Sequence, residues 1–208
     1  MKVMDKLKFK VKIDKKLLIF LTILLLIGIA VGALFIRILD STDRELVNEH
    51  LNNFVNNIES DKLDYFSTFK SNLITNISFV IVIWLLGISI IGLPIILIMF
   101  FSKAFILGFS VGAILSVFKI KGMLFSLVYI FPGQVINLIL YLLLTMYAIS
   151  FSFKLIYAIF KKKTIDFKVV MNKYFKILIF VLIIIILMIL YDTYLMPKLV
   201  KTILPFIK

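Results

Sequence analysis

Long apolar stretches, separated by short clusters of charged residues, form the main pattern of hydrophobic and polar positions along the chain. The first runs from Leu17 to Ile36 and is uncharged, with Lys16 before it and Arg37 after it. A run of about 20 apolar residues crosses the roughly 30 Å hydrocarbon core of a bilayer as a helix, so this stretch predicts a first span. A signal peptide is the alternative, because basic residues precede the run and small residues occupy positions 30–32.

The second apolar region, from Ser71 to Phe118, carries one charged residue, Lys103, and is too long for a single helix. Gly92 and Pro94 lie near its middle. Proline removes a helix donor and disfavours helix at the residue before it, so these two residues predict a turn at one membrane face. Span two is then expected over about Leu73–Ile91 and span three over about Pro94–Val117. A kinked or re-entrant arrangement is the alternative.

The third uncharged region, Gly122 to Phe153, is interrupted by Pro132 and Gly133. Because it exceeds the length of one perpendicular helix, and because membrane helices tolerate proline kinks, a kinked and tilted fourth span is expected. A fifth span is expected from Ile177 to Tyr191 and onward. The predicted fold is therefore all-α, a polytopic membrane helix bundle with about five transmembrane helices, forming one integral membrane domain over residues 1–208.

Charge is distributed unevenly between the extramembrane segments. Lysines are concentrated in residues 1–16 and 154–176, whereas most of the acidic residues lie in residues 40–72. The positive-inside rule places the two basic segments in the cytoplasm, and the acidic segment and the C-terminus outside. Attraction to anionic lipid then explains the net charge of +13. A nucleic-acid-binding face is the rival interpretation, but no soluble domain is predicted to carry one, so no nucleic-acid partner is expected.

The acidic segment at 40–72 is the one sizeable extramembrane piece. Thr42 and Glu45 match a capping box, and the apolar residues that follow recur at helical spacing. We therefore expect an amphipathic helix of about four turns. It lies either on the membrane or the spans, or its polar face meets an external partner, for which Asp43, Glu45 and Glu49 are the candidate surface. The lone histidine, His50, is interpreted as an exposed polar residue.

Small residues at four-residue spacing allow membrane helices to approach closely. Gly28 and Gly32 form such a pair in span one. Span three carries a longer row of small residues along one face, namely Ala104, Gly108, Gly112 and Ser116. We expect spans one and three to contact each other through these residues, or one of the two faces to serve oligomerisation.

Lys103 lies well inside span three, at the depth predicted for Gln134 and Asn137 when each helical residue is counted as about 1.5 Å. An unpartnered ammonium in hydrocarbon costs at least about 2.5 kcal/mol, so Lys103 is expected to face the bundle. Because no acid is assigned to a span, the predicted hydrogen-bond acceptors for the Lys103 ammonium are amide oxygens and backbone carbonyls, including those freed by Pro132. These hydrogen bonds would fix span three to the kink of span four. Snorkelling of Lys103 toward the inner face is the alternative.

Composition excludes several classes of chemistry. The chain has no cysteine and one histidine, which excludes thiol nucleophiles and most metal sites. Ser102 and Lys103 do not form a nucleophile–base pair, because adjacent helical residues point about 100° apart. No catalytic residue, cofactor or metal site is expected. A transporter or channel subunit predicts a water-filled path reaching Lys103, Gln134 and Asn137, whereas a scaffold is expected to be packed there.

The central block of the sequence resembles the stage II sporulation protein M family of endospore-forming bacteria. Besides length, five-span layout and charge pattern, the resemblance is carried by Trp84, Gly87, Ser89, Gly92 and Pro94 in WLLGISIIGLPIIL, by Lys103, by GFSVG from Gly108 to Gly112, and by the Pro132 region.

The resemblance implies a non-catalytic scaffold in the cell membrane, on the mother-cell side of the sporulation septum. It would recruit or anchor the peptidoglycan hydrolases called stage II sporulation proteins D and P, which thin the septal wall during engulfment. Members of the family also occur in organisms that do not sporulate, so the resemblance leaves the cellular process open. It implies no catalytic residues, and it leaves the oligomeric state open.

Overall fold

The computed structural model describes residues 14–161 and 166–207, and almost all of these residues are helical. The helices are α1 (Lys15–Phe35), α2 (Ser41–Glu59), α3 (Tyr65–Ile88), α4 (Gly92–Phe118), α5 (Lys121–Tyr129), α6 (Gly133–Lys161), α7 (Phe167–Leu190) and α8 (Met196–Ile207). A π-helical turn, Tyr191–Leu195, joins α7 to α8.

Five stretches within the described residues are long and apolar enough to cross a membrane. They are Lys15–Phe35, Tyr65–Ile88, Gly92–Phe118, Gly133–Ala158 and Phe167–Pro205. The chain is therefore an all-α, multi-pass membrane protein, and the predicted fold class is confirmed.

Consecutive spans are antiparallel, whether a tight turn joins them, as between α3 and α4, or a further helix does, as α2 and α5 do, and the bundle therefore has two distinct ends. Helices α2, α5 and α8 gather at one end, where α8 packs against both of the others. We call this the α2 end. The α3–α4 turn and the α6–α7 connection lie at the opposite end. Residues 1–13 of the predicted basic N-terminal segment, and residues 162–165 of the predicted basic loop, lie outside the described residues.

Aspartate side chains cap the first turns of three spans. Asp14 accepts a hydrogen bond from the backbone N–H of Lys16 at 3.1 Å, and Asp64 accepts one from Ser67 at 3.1 Å. Asp166 begins α7 in the same way, so that the α3 and α7 helices start earlier than their apolar runs. Such caps satisfy N–H groups that the first turn of a helix leaves without a carbonyl partner.

The predicted capping box at the start of α2 is wrong. Helix α2 begins at Ser41, and Asp40, whose side chain makes no capping hydrogen bond, is its N-cap residue. Thr42 is therefore already helical. The helix itself spans 19 residues, somewhat longer than predicted.

The chain between spans three and four contains a complete helix break rather than the expected proline kink. Helix α5 ends at Tyr129, residues 130–132 form a turn, and α6 begins at Gly133. Pro132 lacks an N–H group and fits just before a helix start, where no such donor is needed. A kinked fourth span is wrong because α5 has packing partners of its own in α4 and α8.

The α3–α4 turn is formed by Ser89–Ile91, just before the predicted turn residues Gly92 and Pro94. These two residues instead lie in the first turn of α4. Proline has no backbone N–H, but the first turn of a helix does not need one for its internal hydrogen bonds. A Cβ atom on Gly92 would collide with the carbonyl of Leu86. Glycine is therefore what allows the chain to reverse so tightly at this point.

Helix α6 is the central span of the bundle. It packs against α3, α4 and α7, and most of its apolar stretch is buried. Helix α1, in contrast, packs mainly along α4 and leaves a wide apolar face exposed. Since α1 is one of the spans, that face is where the bundle meets lipid tails.

Candidate functional site

A cavity of about 390 Å³ lies among α3, α4, α6 and the π-helical turn. Its volume falls in the range of small-molecule sites, roughly 300–1,000 Å³. Unlike the surrounding helix interfaces, its wall is rich in polar side chains. Two of them are charged and four are amides: Lys103, Asp192, Asn72, Asn76, Gln134 and Asn137.

The ammonium of Lys103 lies against aromatic faces. Its Nζ atom is 4.7 Å from the centroid of the Phe79 ring and 5.5 Å from that of Tyr141. Cation–π contacts of this kind contribute about 0.5–2 kcal/mol. Lys103 makes no hydrogen bond or ion pair with any other residue that the structure describes. The predicted amide and carbonyl acceptors are therefore wrong: the kink that would free a carbonyl is absent, and the ammonium lies against aromatic rings of α3 and α6 instead.

Gln134 and Asn137 line the same cavity as Lys103, as their predicted depth in the membrane suggested, but the structure brings them there in a different way. Both lie in the first turns of α6, not in the middle of a longer span. Helix α5 folds back along α4, where Gly122 lies against Ile114, and so α6 starts partway down α4. The fold-back brings the start of α6 beside Lys103.

Asp192 is the charged residue that sequence reasoning missed. It lies in the π-helical turn, inside the apolar segment Phe167–Pro205, so the expectation that no acid lies within a span is wrong. Its carboxylate approaches Gly133 so closely that a Cβ atom at Gly133 would collide with it. The sequence did contain a signal for it, because a single acid interrupts the end of the fifth apolar run. An ionisable residue within a membrane helix indicates a candidate functional site.

Three buried polar atoms on the cavity wall have no hydrogen-bond partner among the described residues. They are Oδ1 of Asp192, Oδ1 of Asn137 and Oγ1 of Thr193. Asn137 is 6% exposed and Thr193 is 1% exposed. An unsatisfied buried polar atom costs about 1–3 kcal/mol, so three of them around one cavity indicate a surface suited to a polar occupant.

Apolar side chains close the cavity on the side away from the α2 end. One turn or more beyond the cavity residues of α3, α4 and α6, the inward-facing side chains are fully buried: Val80, Ile83, Ile96, Phe100, Leu144 and Ala148. Over the described residues the cavity is thus a blind pocket. It is not the packed interior expected of a scaffold. It reaches Lys103, Gln134 and Asn137, as expected of a transporter or channel subunit, but the apolar layer closes it at one end.

The small residues of spans one and three meet each other within the chain. A Cβ atom on Gly32 would collide with the carbonyl of Phe105, and one on Gly108 with the carbonyl of Ile29. Gly28 lies against Ala104, and Gly112 against Ala33. The two backbones are therefore in direct contact, and both small faces are used inside the chain rather than for oligomerisation.

Ser116, the last of the predicted row on α4, is exposed. Its hydroxyl donates to the carbonyl of Ala113 in its own helix at 2.8 Å. The close α1–α4 contact is thus formed by the three earlier members of the row.

A model of the family described as Stage II sporulation protein M matches residues 21–197, which is most of the chain. The chain belongs to the stage II sporulation protein M family. The match includes α2, the α1–α4 contact and all the residues that line the cavity. No significant match was found among curated proteins or among solved structures.

The segment that carries the likeness to the stage II sporulation protein M family, Trp84–Pro94, is a packing centre at the end opposite α2. The carbonyl of Trp84 accepts a hydrogen bond from the Tyr174 hydroxyl at 2.9 Å, and the two rings stack at 5.6 Å. Gly87 leaves room for that hydroxyl and for Ala148. The buried Ser152 donates to the carbonyl of Ser89. This motif therefore joins α3 to α6 and α7.

The candidate partner surface lies on α2. Asp43, Glu45 and Glu49 are all exposed, as is His50. The opposite side of α2 is held by the buried side chains of Val55 and Ile58. A family member of this architecture thus presents a fixed acidic helix at one end of a membrane bundle.

Proposed function

We propose that this member of the stage II sporulation protein M family is a non-catalytic membrane scaffold. It recruits or anchors septal peptidoglycan hydrolases, stage II sporulation proteins D and P, during endospore engulfment. The family match supports a sporulation-related membrane protein. The observation that supports recruitment of the hydrolases is the exposed acidic side of α2.

Helix α2 is held in place well enough to present a defined surface. Its apolar side packs against α8 and α4, and Phe54 contacts the edge of the Tyr129 ring, with centroids 5.2 Å apart. Just beyond the helix, Asp61 forms an ion pair with Lys201 of α8. A surface of fixed geometry loses little conformational entropy when a partner binds, which favours its use for recruitment.

The proposed orientation places the α2 end outside the cytoplasm. The exposed lysines of α7, among them Lys168 and Lys173, lie at the opposite end and favour the cytoplasmic side under the positive-inside rule. The acidic helix would then face the compartment in which wall hydrolases work, on the mother-cell side of the septum.

Copurification tests this proposal. Full-length protein would be isolated from sporulating membranes, and the two hydrolases quantified in the wild type and in the variant with Asp43→Lys, Glu45→Lys and Glu49→Lys. Because charged contacts at the rim of an interface steer partners and exclude wrong ones, we expect the variant to retain at least about tenfold less hydrolase.

A matched variant, Asn52→Lys with Asn53→Lys, adds positive charge to the exposed side of the same helix without removing an acid. It is expected to retain the hydrolases. If wild-type protein recovers no hydrolase while other septal complexes are recovered from the same membranes, the scaffold proposal is wrong. If both variants lose the hydrolases equally, net charge and not this acidic surface governs recruitment.

A transporter or channel subunit is the second candidate, and the polar cavity is the observation that favours it. Reconstituted vesicles test it directly. A passive or driven solute flux that Asp192→Asn abolishes would support transport, because a through-path would have to pass the charged wall of the cavity. Absence of flux across ions, amino acids and sugars, with the protein folded in the vesicles, would leave recruitment as the function.

A further inference from the structure

The cavity wall carries one positive and one negative charge that do not neutralise each other. Lys103 and Asp192 lie on different elements, α4 and the π-helical turn, and no ion pair within 4.0 Å joins them to each other or to other described residues. Charges buried in a membrane protein are normally paired, because desolvation of a lone charge is costly. Among the described residues, Lys103 thus has only the aromatic faces of Phe79 and Tyr141 as partners, and the buried Oδ1 of Asp192 has no hydrogen-bond partner.

The wall offers donors and acceptors in a definite arrangement. At one side is Asp192, with a buried and unpartnered Oδ1, and beside it Thr193. At the other is the Lys103 ammonium, held in position by the faces of Phe79 and Tyr141. On α6, Asn137 is one turn after Gly133, which lies against Asp192, and one turn before Tyr141, which lies against Lys103; its Oδ1 is also unpartnered among the described residues. A molecule with a cationic and an anionic end matches both charges while keeping the occupied cavity neutral overall.

Some of the residues that line the cavity are exposed on α3 and α4, which indicates a lateral opening between these two helices. Thr68 and Thr75 of α3 and Ile106 of α4 line the cavity and are exposed at the same time, Ile106 by 53%. Since both helices are membrane spans, this opening faces the lipid at the α2 end of the bundle. A head group can enter from the bilayer by this route while its acyl chains stay outside, along the apolar flank of Ile106.

We propose that this cavity binds a small zwitterionic group with a primary amine at Asp192 and a phosphate at Lys103. The chemistry is that of ethanolamine phosphate, either as the head group of a lipid, whose phosphodiester carries one negative charge and keeps the cavity neutral, or as the free molecule, whose phosphate monoester carries about 1.5 to 2 negative charges at pH 7. A carboxylate accepts charge-assisted hydrogen bonds from an ammonium, and a lysine ammonium binds phosphate as a point charge. The proposal goes beyond hydrolase recruitment and does not depend on it.

Binding is measured on the full-length protein. Purified protein would be placed in nanodiscs of phosphatidylglycerol with a small fraction of phosphatidylethanolamine, and the lipid that stays bound would be identified by native mass spectrometry. In parallel, the melting temperature would be recorded in lipid-free detergent with and without millimolar O-phosphoethanolamine. We expect retained phosphatidylethanolamine in excess over its bulk fraction, and competition by the soluble probe.

Two charge variants and one control locate the site. Asp192→Asn and Lys103→Met each remove one charge, and each is expected to weaken retention at least about tenfold, the loss expected for one charge-assisted contact. Asp40→Asn removes an exposed acid that makes no capping hydrogen bond, and it should leave retention unchanged. Gly133→Ala keeps both charges but displaces the Asp192 carboxylate, so it should also weaken binding.

The possible outcomes distinguish the free molecule from the lipid head group, and two of them overturn the proposal. A rise in melting temperature with O-phosphoethanolamine alone identifies a free zwitterion as sufficient, whereas retention only of the intact lipid identifies the head group. If wild-type protein holds the two lipids in proportion to their bulk fractions and the soluble probe changes nothing, the proposal is overturned, whether or not the variants fold. Retention that persists in both charge variants also overturns it, because the lipid is then bound elsewhere.

Discussion

Individual glycines determine how closely the helices of this bundle approach. At Gly32 and Gly108 the backbone of one span touches the backbone of the other, so that no larger residue fits without moving a helix. In lipid, where apolar side chains gain little by leaving the surrounding tails, such close packing is a main source of helix association. The same logic applies at Gly133, where the space left by a missing side chain holds a carboxylate.

At this scale, Gly108→Leu is expected to separate α1 from α4. Overpacking typically costs 1–3 kcal/mol, and a collision with backbone belongs at the upper end, so we expect a loss of about 3 kcal/mol in the free energy of unfolding. Thermal unfolding in detergent measures it. Ser102→Leu on the exposed side of α4 is the control and should have a small effect. Equal melting temperatures for Gly108→Leu and wild type would contradict the α1–α4 contact.

Among the helices, the α2 end is built from three elements that do not cross the whole bundle. Helix α8 packs against α2 and α5, and the Asp61–Lys201 ion pair lies at its edge. That pair is largely exposed, so it adds at most about 1 kcal/mol and mainly reports that the two elements are neighbours. The apolar contact of α2 with α8 is what holds the acidic helix.

Crosslinking tests this arrangement, and the natural absence of cysteine makes the result unambiguous. Asp61→Cys combined with Lys201→Cys should form an intramolecular bridge with a short bismaleimide, because the two native side chains are in contact. Asp43→Cys with Lys201→Cys should not, because Asp43 lies in the first turn of α2, at the far end of that helix from Asp61. Efficient bridging of the second pair would show that α2 is not fixed on α8.

For the whole molecule, the two ends differ in charge, and under the positive-inside rule this difference predicts how the protein is oriented in the membrane. Acidic residues are exposed on α2, and lysines are exposed at the start of α7. Lysine-rich segments are retained on the cytoplasmic side during insertion. The side on which α2 lies decides whether it can meet an extracytoplasmic enzyme.

Single-cysteine labelling in intact cells measures the orientation. Glu49→Cys should react with a membrane-impermeant maleimide without permeabilisation, and Lys168→Cys only after it, since both positions are exposed but lie at opposite ends of the bundle. The reverse pattern would place α2 in the cytoplasm. The scaffold proposal would then lose its physical basis.

The sequence by itself determined the class of protein and the local elements. Runs of apolar residues long enough for the bilayer predicted the five spans, and the row Ala104, Gly108 and Gly112 marked a close-packing face, because both signals depend only on residues near one another in the chain. The sequence indicated only part of the candidate site in this way. Lys103, Gln134 and Asn137 stood out as polar residues in apolar surroundings.

Only the tertiary structure decided what those residues face. Whether Pro132 kinks a span or ends a helix depends on whether α5 finds partners in α4 and α8, which lie far from it in sequence or across a turn. The π-helical turn that carries Asp192 into the cavity is likewise a matter of packing against the start of α6. Hydropathy measures how well a segment partitions into lipid, and that quantity contains no information about which helices meet or where they leave a polar cavity between them.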